Sequence, residues 1–179
     1  MKTILKLIVG CFLLGVIGYL ITNIQAGIQK KAVIEERRNH LPDFQFATLE
    51  GANFTKSDLD LTQPTVIISF MPTCHFCQYE AKAVEEHSAA FEQVNLLMVT
   101  SAPEAEAIQF AEEYKLKDDP NVVILTDEFQ QFQTTFGTSA VPSVFIYDKQ
   151  QKLVKHFAGE TKMEAIFKYI NQPLTAVTK

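Results

Sequence analysis

The stretch "SFMPTCHFCQYE", Ser69 to Glu80, sets two cysteines three positions apart in a chain of 179 residues whose third cysteine is Cys11. What stands on either side decides how the pair reads. Before it, "TVIISF", Thr65 to Phe70, is a nearly continuous β-branched run behind Pro64, the pattern of a strand buried on both faces. After it, "QYEAKAVEEHSAAFEQ" holds helix formers and no breaker, with Ala81, Val84, Ser88 and Phe91 on one approximate face. The cysteines therefore join a buried strand to a helix that is predicted to start at or near Cys74.

That placement points to chemistry. A sulfur at a helix start lies where the first unpaired backbone N–H groups and the helix dipole stabilise an anion. Because the thiolate is the attacking form, Cys74 reads as the nucleophile and Cys77, one turn on, as the thiol that resolves a mixed disulfide. A zinc site needs about four ligands; here His75 and His87 would have to complete the set, with His75 squeezed between the sulfurs, and no metal is expected. A structural disulfide closing so short a loop restricts the unfolded chain little. Redox traffic remains, and a βαβ setting strengthens it.

Outward from this centre the pattern continues. "LPDFQFATLEGANFTKSDL", from Leu41, alternates around Gly51 as a short hairpin does. "VNLLMVT" and "NVVILTD" read as buried strands, with a helix between them that opens at "SAPEAE", where Ser101 and Glu104 have capping-box spacing around Pro103. "EFQQFQTTFG" is a short helical piece closed by Gly137, "PSVFIYDKQQKLVKHF" is two strands around a turn at Asp148 to Gln151, and "TKMEAIFKYINQ" is a closing amphipathic helix. Strands alternating with helices need crossovers, so the fold class is α/β, with a central mixed sheet and helices on both faces. Phe44, Phe46, Phe132 and Phe136 read as core, and His40, His87 and His156 as surface or helix-face residues. A net charge of -5 gives no basic footprint, so nucleic acid is not an expected partner.

The N-terminus is different in kind. "LIVGCFLLGVIGYLITNI", Leu7 to Ile24, is uncharged and follows Lys2 and Lys6. As a helix it measures roughly 27 Å, close to the hydrocarbon thickness of a bilayer. The run is longer than the apolar part of a cleaved signal peptide, and "TNIQAGIQ" after it offers a poor cleavage site, so an uncleaved anchor over 1–28 is preferred to a cleaved signal. Cys11 within it reads as a lipid-facing or helix-packing residue. "QKKAVIEERRNH", 29–40, is a charged helical stalk or tether, and 41–179 is the remaining domain. Flanking charges do not settle orientation, since Lys30, Lys31, Arg37 and Arg38 oppose Lys2 and Lys6. A short N-terminal segment that stays cytoplasmic would put the domain outside, at the cytoplasmic (inner) membrane.

From Leu41 to Ile170 the sequence resembles the thioredoxin-like fold, and within it the membrane-anchored thiol-disulfide oxidoreductases of the ResA and TlpA (redoxin) type. The resemblance rests on "CHFC" between strand and helix, on "AVPSVFIYD", and on Glu80 three residues after Cys77. It implies a three-layer α/β/α sandwich. It also implies a cis-proline at Pro142, with Val141 offering its backbone to a substrate; an ordinary proline at a strand start is the alternative. Glu80 is implied to manage protons near the thiols, against the alternative of an exposed helix glutamate; helical spacing makes it a neighbour of Cys77. The chain departs from the family in having no tryptophan before the first cysteine, where "MPT" stands, and no acidic residue on "VIISF". These departures put the direction of electron flow in doubt, and His75 either supports the thiolate or faces solvent.

The resemblance implies a tethered oxidoreductase whose Cys74 and Cys77 cycle between dithiol and disulfide without a cofactor. Its partners would be protein disulfides or dithiols, the membrane, and an electron-donating membrane or redox protein. Tethering outside fits a reductant working where the surroundings oxidise, as in cytochrome c maturation. Two alternatives are a peroxiredoxin-like peroxidase, whose Pro-x-x-x-Thr-x-x-Cys arrangement "MPTC" lacks, and a Sco-like copper metallochaperone, whose cysteines stand one residue further apart.

Overall fold

All six residues of β3 (Thr65–Phe70) are buried, as its β-branched run requires, and the sheet is built outward from that strand. The computed structural model describes residues 2–170, with side chains from residue 15 onward apart from 26, 30 and 31. Cys11 and the first part of the apolar run therefore lie, as side chains, outside the described residues, as does the segment 171–179.

The chain divides into two units between Glu36 and Arg37. The first is the body of one continuous helix, α1 (Lys2–Arg38), so the apolar run and the charged stalk form a single element. Among the described residues no helix is long and apolar enough to cross a membrane. His40, expected to end the stalk, instead bridges to Lys152 in the second unit.

That unit holds a seven-stranded sheet in the order β2-β1-β5-β4-β3-β6-β7. Its remaining strands are β1 (Gln45–Thr48), β2 (Asn53–Thr55), β4 (Asn95–Thr100), β5 (Val122–Thr126), β6 (Ser143–Tyr147) and β7 (Leu153–Ala158). β3 runs parallel to β4 and β4 to β5, whereas β1–β2, β1–β5, β3–β6 and β6–β7 are antiparallel. The helices α2 (His75–Glu86) and α3 (Glu104–Glu113) connect three parallel strands laid down in one direction. Right-handed crossovers therefore put both on one face.

There Ala81, Val84, Ala107, Phe110 and Ala111 pack on Val66, Ile68 and Met98, joined by Met163 and Ile166 of α5 (Met163–Ile170). The opposite face is covered by Leu41, Phe44 and Phe46 and by α4 (Phe132–Phe136), which bring Phe132 and Phe136 onto Ile67, Val99 and Phe145. The expected α/β fold with helices on both faces of a mixed sheet is therefore present, and the four phenylalanines are core. β3 is also where the strand order reverses, β4 lying on one side and β6 on the other. The carboxyl end of such a strand is where crevices open in α/β sheets.

Four local expectations are corrected. The helix after β4 begins beyond Pro103 with no side-chain cap; the Thr100 hydroxyl takes the Ala102 amide at 3.1 Å, which ends the strand in a turn and leaves Ser101 outside the helix. α4 is shorter than "EFQQFQTTFG" predicts, because the Asp127 carboxylate holds the amides of Gln131 and Phe132 and shapes the preceding residues as a turn. The helix carrying the cysteines stops at Glu86 and continues as a 3-10 turn over Ser88–Phe91, with the His87 ring against the Ala83 carbonyl at 2.9 Å. His156 is half-buried, not a surface residue: its ring stacks on Phe145 with centroids 4.2 Å apart, and burial lowers its pKa.

Phe136 is fully buried, stacked on Phe132 at 4.5 Å and tilted against Phe145 at 5.3 Å. Phe136→Ala is expected to lower unfolding stability by about 3–5 kcal/mol, read from urea unfolding. A loss under about 1 kcal/mol would mean that α4 does not close the core on this face.

Candidate active site

Between the last buried residue of β3 and the first turn of α2 the chain has four residues, Met71 to Cys74, in which to turn. The Cys74 amide bonds the Met71 carbonyl at 2.9 Å, and the Cys74 carbonyl receives the first helical bond, from the Gln78 amide at 3.1 Å. The Gln78 side chain fastens the turn from inside by donating to the Pro72 carbonyl at 2.9 Å. Cys74 is thus the N-cap residue of α2, with extended backbone and a half-buried side chain. Its sulfur makes no capping hydrogen bond to the first turn, although it stands at the helix end where backbone N–H groups go unpaired.

Cys77 faces the other way. One turn into α2 it points at the sheet and is fully buried, and both cysteines are free thiols. Burial pushes its pKa up to about 12, and the hydrogen bond and charge of Cys74 and the charge of Glu80 act in the same direction. The Met71 amide, 3.5 Å from the sulfur, opposes them. One thiol is presented and the other is held as a thiol behind it.

Across from the pair, the Val141–Pro142 peptide is cis. The Cys74 sulfur lies 3.9 Å from the Val141 carbonyl oxygen, so Val141 and Pro142 face the cysteines. Val141 is exposed.

Glu80, expected as a neighbour of Cys77, is 2% exposed, and neither carboxylate oxygen has a hydrogen-bond partner. Burial, and then the charge of Glu160, raise its pKa to about 8; the Thr161 amide opposes the shift without reaching hydrogen-bonding geometry. An unpaired carboxylate costs most where water cannot reach it, which favours the protonated form. A cavity of about 300 Å³ bounded by Tyr79, His87 and the segment Glu160–Glu164 lies over it. Glu160 and Thr161 went unread in the sequence: no periodicity ties them to α2, and only the closure of the fold brings them together. His75 and Phe76, by contrast, project outward from the first turn of α2, and the His75 ring meets Tyr79 edge-on at 5.4 Å.

The AhpC/TSA family pattern matches residues 38–156, more than half of the chain, including Cys74, Cys77, Glu80, Val141 and Pro142. The chain belongs to the AhpC/TSA family. Among curated protein sequences none matches it significantly. Among solved structures, a secreted Mycobacterium tuberculosis disulfide oxidoreductase homologous to E. coli DsbE is similar at 22% identity and TM-score 0.62, covering 75% of this chain and 96% of its own. StoA from Bacillus subtilis aligns at 18% identity and TM-score 0.58, over 73% and 98% of the two chains. A peroxiredoxin-like protein from Aquifex aeolicus aligns at 18% identity and TM-score 0.61, over 74% and 84%. At these identities the likeness is one of fold. It makes this AhpC/TSA member thioredoxin-like in architecture.

The Glu80 carboxyl titrates at about 8 in the folded chain against 4.5 when free. Below the lower value both states are protonated and burial carries no ionisation penalty; as pH rises to the upper one, the folded state loses stability relative to the unfolded. Glu80→Gln removes this term. The variant's stability relative to the parent is expected to rise between about pH 5 and pH 9, by on the order of 4 kcal/mol. Urea unfolding across that range reads it, and a difference independent of pH would contradict the buried, unpaired carboxyl.

Proposed function

We propose that the protein is a membrane-tethered thiol-disulfide oxidoreductase that reduces disulfides in client proteins on the extracytoplasmic side of the cytoplasmic membrane. The observation that carries this reading is the asymmetry of the two sulfurs: Cys74 half-buried at a helix start beside the Val141 carbonyl, Cys77 fully buried behind it.

The cycle follows from that asymmetry. The Cys74 thiolate attacks one sulfur of a client disulfide; the client bond breaks, and its other sulfur leaves as a thiolate that takes up a proton. Cys77 then gives up its proton and attacks the Cys74 sulfur of the mixed disulfide. The Cys74–Cys77 bond forms and the second client sulfur is released, so the client gains two electrons and the pair loses two. A membrane or redox protein of lower potential returns them, and the steps need no bound cofactor.

A buried thiol near 12 resolves slowly unless a base is close. With a pKa near 8, the Glu80 carboxylate lies roughly half as far below Cys77 as an ordinary glutamate at 4.5. Proton transfer between neighbours is easier the closer their pKa values. The exposure of Val141 and the 3.9 Å between its carbonyl and the Cys74 sulfur support a client strand pairing there as it brings the reacting cysteine.

The tether rests on the run Leu7–Ile24, on its length, and on its place in the continuous helix α1, where the apolar positions of the run fall at every helical angle. A helix apolar on all sides belongs in a core or a bilayer. The position three residues before Cys74, where a peroxidase carries its threonine, is Met71, and Thr73 is exposed.

Cys77→Ala is expected to accumulate a client covalently bound through Cys74, released by reductant and seen on non-reducing gels; Cys74→Ala is expected to trap none. The purified protein is expected to catalyse insulin reduction by a dithiol donor. Rapid peroxide consumption without insulin reduction, or stoichiometric copper held by Cys74 and Cys77, would replace this reading.

A further inference from the structure

A crevice of about 230 Å³ opens beside the cysteine pair on the α4 side of the sheet, and nothing in the exchange cycle uses it. Its rim is formed by Met71 and Val141, the two residues whose carbonyls meet the Cys74 amide at 2.9 Å and the Cys74 sulfur at 3.9 Å. At its floor lies Ser69, in register with Val99 of β4 and Ser143 of β6. Ser69 is 6% exposed and its hydroxyl has no hydrogen-bond partner, although a neighbouring serine on the same sheet is fully engaged. Ser143 donates to the Ala140 carbonyl at 2.8 Å and meets the Thr138 hydroxyl at 3.3 Å, fixing the loop that forms one wall.

The other walls set polar groups among apolar side chains, Phe70, Val99 and Phe132. Thr100 accepts the Ala102 amide at 3.1 Å, which leaves its own proton free to donate. Asp127 is the one charged residue lining the crevice, and its two oxygens hold the amides of Gln131 at 2.9 Å and Phe132 at 2.7 Å. At the mouth stand the exposed amides of Gln130 and Gln133. The space is preorganised, sized for a side chain, and supplied with unspent hydroxyl and amide groups.

We infer that this crevice is a specificity subsite that receives the side chain flanking the reacting cysteine of a client, and that it takes an uncharged polar side chain, an amide above all. The inference rests on the exchange activity proposed above. A client sulfur bonded to Cys74 carries its neighbouring residue past Met71 and Val141. An amide reaching Ser69 satisfies a hydroxyl that is otherwise buried and unpaired, whereas an apolar side chain leaves it orphaned and a charged one is desolvated beside a carboxylate, Asp127, whose two oxygens are already spent on backbone amides.

The test uses the full-length reduced protein and short peptides. Each carries one cysteine as a mixed disulfide with 5-thio-2-nitrobenzoate, and they differ only in whether Gln, Ala, Leu, Lys or Glu flanks it. Release of the chromophore in the single turnover of the reduced pair gives a second-order rate constant for each peptide. The glutamine peptide is expected to exceed each of the others by about tenfold, mainly through a lower half-saturating concentration. Ser69→Ala is expected to reduce the ratio of glutamine to alanine peptide. Gln133→Glu, at an exposed position where folding is not at stake, is expected to move preference toward the lysine peptide. Equal rates with all peptides, or a native preference for leucine or either charge, would overturn the subsite and leave the exchange activity standing. Absence of release from every peptide would overturn the exchange activity and the subsite together.

Discussion

A strand buried along its whole length has to hand the chain to a helix within four residues, and that constraint shapes the site. β3 cannot fray toward solvent, because β4 and β6 pair with it on either side and helices cover both faces. The turn from Met71 to Cys74 is held by the Cys74 amide and the Gln78 side chain, so the helix starts at a fixed place and angle. The first thiol then falls at the unpaired helix end, and the second, one turn later, falls against the sheet. Two identical side chains acquire opposite properties from three residues of spacing.

The same constraint organises what surrounds the pair. Because the strand order reverses at β3, the carboxyl ends of β3 and β4 face the loop before β6 across a gap. On the α2 side the gap is lined by the proton chemistry of Cys77 and Glu80; on the α4 side it is lined by hydroxyls and amides around Ser69. The two sides meet at Cys74 and Val141. The proton handling and the recognition proposed above are thereby assigned to opposite sides of one strand.

Much of this was legible in the sequence, where local pattern and tertiary packing agree. "TVIISF" could only be a buried strand, the helix formers after "CHFC" fixed where the thiols stand, and the alternation of strands and helices gave a mixed sheet with helices on both faces. The misread places are those where a side chain overrides the local pattern. Thr100 takes the Ala102 amide and ends the strand in a turn where spacing gave Ser101 a helix cap, and Asp127 takes amides that spacing assigned to a longer helix. The environment of Glu80 was half legible: helical spacing puts it beside Cys77, but the charge of Glu160 and the amide of Thr161 that also act on it come from about eighty residues away in sequence, invisible to periodicity. Ser69 reads in sequence as an interruption of an apolar run; only the register with Val99 and Ser143 shows that its hydroxyl is left over.

The central claim is the inequality of the two sulfurs, and alkylation of the reduced protein at neutral pH measures it directly. With substoichiometric iodoacetamide and the modified site assigned by mass spectrometry, Cys74 is predicted to react at least roughly a hundredfold faster than Cys77, which stays protected until the chain unfolds. Comparable rates at the two cysteines, or faster reaction at Cys77, would contradict the account.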